Sequence, residues 1–581
     1  MRPSSDAETP AGIASDTLER RDFLGYLSAV GLGGTLFPGA LWAQAQEAEE
    51  ITLETVAAAE KLAGLEFTDE EREMLLSGLR SAVRAYEEMR STPLPHEVPP
   101  ALHFRPLPPP EDTVGRPGRV QPTRTPGVER PERLEEVAFW PVTRLAELIR
   151  TGQASSVELT EMYLDRLRRH GPTLECVVTL TEERALKQAR WADDELALGR
   201  YRGPLHGIPW GAKDLLAVRG YPTTWGARPY VDQELPVDAT IVERLDRAGA
   251  VLVAKLTLGA LAMGDVWYGG KTKNPWDLEE GSSGSSAGSA AATVAGLVGF
   301  SIGSETLGSI VSPCTRTGAT GLRPTFGRVS RHGAMPLSWS MDKLGPICRS
   351  VEDCALVLDA IHGGDDRDPT ARTVAFDWDG TKGLDGIRVG YYRAAFEEEP
   401  EEDDEREALR LARGALRALR GLGVEPVPVE LPEELPVRAL RIILSAEAGA
   451  AFDQMTRSGE VDLLTRQDPG AWPNSFRRSR FIPAVEYIQA NRHRTVLMNS
   501  VERALEGVDV FMTPSFGGGV LLTTNLTGHP TVVVPSGFRA RGTPTSVSFV
   551  GGLWRDAEAL RVAKAYQDAT GHHQRRPPTF G

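Results

Sequence analysis

The chain has 581 residues, 41% of them hydrophobic and 25% charged, with a formal net charge of -15. That balance is ordinary for a globular protein with a sizeable core, and the acidic excess argues against a general grip on nucleic acid, which needs clustered Lys and Arg. Cys176, Cys314, Cys348 and Cys354 show no metal-ligand spacing and read as small buried hydrophobes. A disulfide stays open if the protein is exported.

Export is expected from the first 45 residues. Arg20-Arg21-Asp22 precedes an apolar stretch from Phe23 to Ala43, softened by Gly25, Gly31, Gly33, Gly34 and Pro38. The stretch closes on Ala43-Gln44-Ala45, a small-x-small pattern that a signal peptidase accepts. Paired arginines before a weakly apolar segment resemble a twin-arginine signal, with Glu19 as a mild departure. The expected location is therefore periplasmic or secreted, with cleavage near Ala45. An uncleaved membrane anchor is the competing reading.

Residues 46–91 read as a helical segment containing two amphipathic helices. Gly64 stops the first, and Thr68 with Glu71 makes a capping box for the second. Leu75, Leu79, Val83 and Tyr86 then share one face. Residues 92–135 form a Pro-rich linker, expected to be extended and draped over the domain C-terminal to it. From 136 to 581 helix and strand signals alternate. Asp238 is placed to cap the helix TIVERLDRAG, which Gly249 ends before the strand AVLVAKL. VDVFMTP and PTVVVP read as strands buried on both faces. The pattern predicts an α/β fold, a mostly parallel or mixed sheet covered by helices on both sides. The acidic run Glu397–Glu405 reads as a solvated loop, because it lacks the oxygen-ligand spacing of a calcium site.

The most informative stretch is GSSGSSAGSAAATVAGLVGFSIGSETLGSIVSPCTRTGATGLRPT, residues 281–325. A flexible linker would account for GSSGSSAGS alone. It does not account for AAATVAGLVGFSIG, which reads as a buried helix running into a buried strand. Gly and Ala let the main chain approach a substrate, and serines at tight turns can serve as nucleophiles. Upstream stands Lys213, in HGIPWGAKDL.

These segments resemble the amidase signature family of serine hydrolases. The likeness lies in Gly284-Ser285-Ser286-Ala287-Gly288-Ser289, Gly303-Ser304-Glu305-Thr306-Leu307-Gly308-Ser309-Ile310 and Gly321-Leu322-Arg323-Pro324-Thr325. It extends to NPWD at Asn274–Asp277, MDKLGPICRSVEDCALVLDAI at 341–361, VDVFMTPS at 508–515 and NLTGHPTVVVPSGF at 525–538. The resemblance implies the family's fold, a large mixed and twisted sheet covered by helices, and a catalytic domain at 136–581. It implies Ser309 as nucleophile, Ser285 as a bridging serine after a cis peptide, and Lys213 as base. The interval between Ser285 and Ser309 selects Ser285 over Ser286. Backbone N–H groups from Thr306 through Leu307 and Gly308 to Ser309 are the expected oxyanion donors. No cofactor and no metal are implied.

The residues are compatible with this chemistry, although a lone Lys-Asp pair by itself reads as surface charge and it is the resemblance that favours Lys213 as base. A serine hydroxyl needs a base to remove its proton. An exposed lysine, with a pKa of about 10.4, is protonated at neutral pH, whereas a buried one loses its charge more readily. Lys213 lies between apolar PWGA and LLAV, a setting compatible with burial. Of the ten histidines, His206 is nearest the motifs, and a structural role suits it better. Leu307 stands where the family has Gly, Glu305 where it has Asp, Ala287 for a Gly and Val311 for an Arg. Leu307 is expected to narrow the oxyanion loop, and these departures read as changes of substrate pocket.

The function expected is an exported serine amidohydrolase acting on a linear amide, with ester cleavage as a side activity. The alternatives are a glutaminase-type A subunit of a tRNA amidotransferase and a non-catalytic member of the fold. The partners expected are a small-molecule amide, the twin-arginine export machinery and at most a second copy of the chain in a homodimer, with no nucleic acid.

Overall fold

The computed structural model describes residues 51–80 and 104–581, apart from residues 64, 65, 71, 75 and 117. The export signal, the candidate anchor, Glu71 of the capping box, Leu75, Val83 and Tyr86 lie outside the described residues. Among the described residues no helix is long and apolar enough to cross a membrane. The described residues fall into two compact units, the smaller holding residues 51–80 with 477–486, the larger the others. In the smaller unit a helix spans Leu53–Ala63, and Glu60 takes an ion pair from Arg72 at 2.9 Å.

In the larger unit eleven strands form one sheet. In chain order they are β1 Val177–Leu180, β2 Pro209–Lys213, β3 Val251–Leu256, β4 Phe300–Glu305, β5 Thr320–Arg323 and β6 Lys343–Cys348. Then come β7 Val389–Tyr392, β8 Val427–Val429, β9 Val510–Pro514, β10 Thr531–Phe538 and β11 Pro544–Gly551. Their order across the sheet is β8-β7-β9-β11-β10-β5-β6-β4-β2-β3-β1. β2 runs parallel to both β3 and β4, and β7 to both β8 and β9, while the other neighbours are antiparallel. The sheet is therefore mixed, the second of the two expected arrangements.

Helices cover it. Ser156–Leu174 and Val311–Thr317 each pack against Ala287–Val294 and the strands, Val351–Ile361 and Asp556–Thr570 against each other and the strands, and Thr240–Arg247 against Val351–Ile361. Burial between two helical layers explains why β3 and β4 are covered along their whole length and why their sequences are nearly continuous apolar or small runs. β10 accommodates Pro535 at a register shift, where the missing N–H breaks no regular ladder.

Two local expectations change. Asp238 does not cap the helix Thr240–Arg247; Ala239 occupies that position, and the Asp238 carboxylate accepts the Arg219 N–H at 2.9 Å. A competing backbone donor brought close by the fold has taken the side chain. The acidic run divides. Glu397 ends the helix Arg393–Glu397, Glu398, Glu399 and Glu401 are exposed, and from Asp403 the chain enters the helix Asp403–Gly421, whose first turn carries Asp403, Asp404 and Glu405. Carboxylates there complement the helix N-terminus. Residues 104–135 lie on the larger unit, with Val120–Gln121 paired to Trp378–Asp379 and the Trp554 indole donating to the Leu107 carbonyl at 3.0 Å.

Candidate active site

Strand pairing assembles the site. β2 and β4 are parallel, with Ala212 opposite Ile302, so the C-terminal residue Lys213 lies beside the Gly303–Ser304 end of β4. Functional groups collect at such carboxyl ends because the chain leaves the sheet there in turns that expose its backbone. After β4 the chain turns through Thr306–Ile310 into the helix Val311–Thr317. The loop carrying Ser285 precedes the helix Ala287–Val294, whose residues are all buried. The Gly284–Ser285 peptide is cis. Gly284 is required by space, since a β-carbon there would come 1.9 Å from the Gly264 carbonyl oxygen.

Lys213 is fully buried, and its amine meets three hydroxyls: Ser285 at 2.8 Å, Ser304 at 2.9 Å and Ser286 at 3.0 Å. Burial drives its pKa well below the ordinary lysine value, against the upward pull of the Asp342 and Glu305 carboxylates. A neutral amine has two N–H donors and one lone pair. The Ser286 hydroxyl gives its own proton to the Ser304 carbonyl at 3.0 Å and accepts the Ser304 N–H at 3.1 Å. Ser286 can therefore only accept from Lys213. Ser285 has no second bond among the described residues, so its proton is available to the lysine lone pair. Geometry thus separates the two adjacent serines that spacing had separated in the sequence.

Ser309 sits on the turn, nearly buried, and its carbonyl accepts the Ser286 N–H at 3.1 Å. Its hydroxyl makes no hydrogen bond among the described residues. The N–H groups of Leu307, Gly308 and Ser309 likewise donate to no group there, which leaves them able to receive an anionic oxygen. Gly308 has φ +86° and needs to be glycine, whereas Leu307 lies outside the left-handed region and is partly exposed. Leucine therefore costs this turn no backbone strain.

Glu305 holds the turn from behind. One carboxylate oxygen accepts the N–H groups of Ile310 and Val311, each at 2.9 Å. The other accepts Arg323 at 2.7 Å and Asn525 at 2.8 Å. Burial raises its pKa, but Arg323 and these donors more than offset that, leaving it at about 2. Val311, in place of an arginine, is buried in a small cluster with Ala290, Cys314 and Val533.

The fold brings Lys213, Ser285 and the Thr306–Ser309 turn to one place. It shows His206 inside the protein, with Nε2 2.8 Å from the Ala192 carbonyl oxygen. In the sequence Ser286 is weighed only as the alternative to Ser285, and Ser304 and Asp342 are not singled out. Ser304 offered no signal beyond its place in the motif, and Asp342 stood unremarked in MDKLGP. Its carboxylate accepts the Thr306 hydroxyl at 2.5 Å and the N–H groups of Leu337 and Ser338 at 2.8 and 2.9 Å. Beside Ser304 and Thr306 a cavity of about 80 Å³ opens to solvent.

The Amidase family model matches residues 158–520. The chain is 35% identical over 483 residues to the glutamyl-tRNA(Gln) amidotransferase A subunit of Methylococcus capsulatus, covering 75% of this chain and 98% of that one. It is 34% identical over 485 residues to the protein of the same name from Halorhodospira halophila, covering 76% and 99%. Among solved structures it superposes on the peptide amidase of Stenotrophomonas maltophilia with a TM-score of 0.67 and 31% identity, covering 77% of this chain and 99% of the other. With a family model spanning more than half its length and relatives matched nearly end to end, the chain belongs to the amidase signature family.

Proposed function

We propose that this protein is a stand-alone serine amidohydrolase that cleaves a carboxylic amide through an acyl-enzyme on Ser309. The observation that carries the reading is the buried Lys213 amine 2.8 Å from a serine hydroxyl whose own proton is free. Neutral Lys213 takes the proton of Ser285, and Ser285 takes that of Ser309 as the Ser309 oxygen attacks the carbonyl carbon. The relay closes when the unpartnered Ser309 hydroxyl turns toward Ser285 on substrate arrival. The oxyanion forms against the N–H groups of Leu307–Ser309, each donor contributing about 3 kcal/mol. Collapse expels the amine, protonated back along the same path, and water then releases the acid by the same route.

A fluorophosphonate probe should label the folded protein, and peptide mapping should place the adduct on Ser309. Labelling at another serine, or none, would remove Ser309 from the mechanism.

The second reading, an amidotransferase A subunit, is favoured by the names of the relatives above. It requires partner subunits where aminoacyl-tRNA is made. The purified protein releasing amine or ammonia from a simple amide, without ATP or added subunits, decides for the first reading. Glutamine-dependent activity that arises only with partners decides for the second.

Export belongs to the proposal as well and rests on Arg20-Arg21 and the Ala43-Gln44-Ala45 site. Replacing both arginines by lysine should leave unprocessed precursor in the cytoplasm, with the mature form otherwise beginning near Gln46. Normal processing of the double variant would exclude the twin-arginine route.

A further inference from the structure

The cavity beside Ser304 and Thr306 has an apolar wall that includes Leu215, Met335, Leu337, Trp339 and Leu344. Charged side chains also reach it, and each is already engaged within the protein. Arg331 holds Asp368 at 3.2 Å, the Trp339 carbonyl at 2.6 Å and the Thr370 hydroxyl at 2.8 Å. Arg367 grips Glu243 with both terminal nitrogens, at 2.9 and 2.8 Å, and Asp365 through Nε at 3.1 Å. Asp342 is occupied by Thr306, Leu337 and Ser338. At the cavity wall two guanidinium groups thus stand with two carboxylates, Asp342 and Asp368, while Glu243 and Asp365 hold Arg367 from behind. Positive charge is not in excess there, and both arginines are already engaged.

We propose that the part of the substrate lying in this cavity is apolar and carries no carboxylate. The inference rests on the amide-hydrolase reading and deepens it by naming the substrate class. Ammonia released from a primary amide needs no cavity, so glutamine would have to bring its α-carboxylate into this space. A carboxylate leaving water for a wall whose two guanidinium groups are both engaged loses its hydration with no arginine to compensate. A hydrocarbon chain in the same place gains from leaving water. The His332 imidazole lines the cavity and bonds no protein group among the described residues, so one polar contact remains for an otherwise apolar ligand.

The test uses a matched pair, hexanamide and adipic acid monoamide, which differ in a terminal carboxylate, together with L-glutamine. The purified enzyme should cleave hexanamide with kcat/KM about 100-fold or more above either charged amide, the discrimination expected when a charge enters without a partner. Asp368→Asn releases Arg331 and should narrow the gap between the matched pair by about 10-fold. Should that variant not fold, Ala334→Arg adds a guanidinium at a partly exposed wall position and should narrow it likewise. Wild-type enzyme that cleaves adipic acid monoamide or glutamine within about threefold of hexanamide, with Ser309 still labelled by the probe, overturns this inference and leaves the hydrolase reading standing. No cleavage of any amide together with an unlabelled Ser309 overturns both.

Discussion

Lys213→Ala should lower kcat/KM by about three to four orders of magnitude, the size expected when general-base assistance to a serine nucleophile is lost. The lysine is buried among three hydroxyls, and no other basic side chain contacts Ser285 among the described residues. Wild-type kcat/KM should rise with pH, because the protonated amine cannot accept a proton and the neutral one can. Burial lowers the pKa well below the ordinary lysine value of 10.5, so this limb falls below the range of an exposed lysine. In Lys213→Ala the limb should vanish along with the rate. Lys213→Met, which fills the same space without a base, should behave alike and separates lost chemistry from lost packing. A variant retaining both rate and pH limb would mean another base is at work. Ser285→Ala should be nearly as severe while keeping the fold, since Ser286 and Ser304 still hold the amine. Ser286→Ala should show itself first in stability, because that hydroxyl joins Lys213 to both the N–H and the carbonyl of Ser304.

Glu305→Ala should destabilise the protein by about 3–5 kcal/mol, because it leaves the buried Arg323 guanidinium without its partner. Both side chains are fully buried and 2.7 Å apart. The loss also frees the N–H groups of Ile310 and Val311, so the turn carrying Ser309 should loosen and turnover should fall with stability. The acid dependence comes from the pKa. It stands at about 2 in the folded protein against 4.5 for an ordinary glutamate, so the stabilisation is fully present above the higher value. It declines as pH falls and is gone below about 2. Urea denaturation at neutral pH, then an acid titration of wild type and variant, measures both effects. Equal midpoints at neutral pH would show that the pair does not anchor the turn.

Much of this protein is legible in the chain because it depends on local properties. AAATVAGLVGFSIG combines small and apolar residues over a length that suits one helix and one strand, and the helix Ala287–Val294 and β4 are buried as that pattern requires. VDVFMTP and PTVVVP are β-branched enough to settle as β9 and β10. The order of the motifs identifies the family and names Lys213, Ser285 and Ser309 as candidates. The sequence could not say whether Asp238 would cap its helix or turn to the Arg219 N–H, since that donor arrives from another segment. Nor could it say that Glu305 meets Arg323 and Asn525, the latter far along the chain. The surroundings of Lys213 were decided by tertiary pairing. β2 lies beside β4, and the loop after Gly284 folds over their ends, so three hydroxyls surround one amine while water is kept out. Burial and charge balance belong to the assembled neighbourhood and not to any residue alone, which is why the lysine's basicity and the engaged arginines of the cavity emerge only from the folded chain.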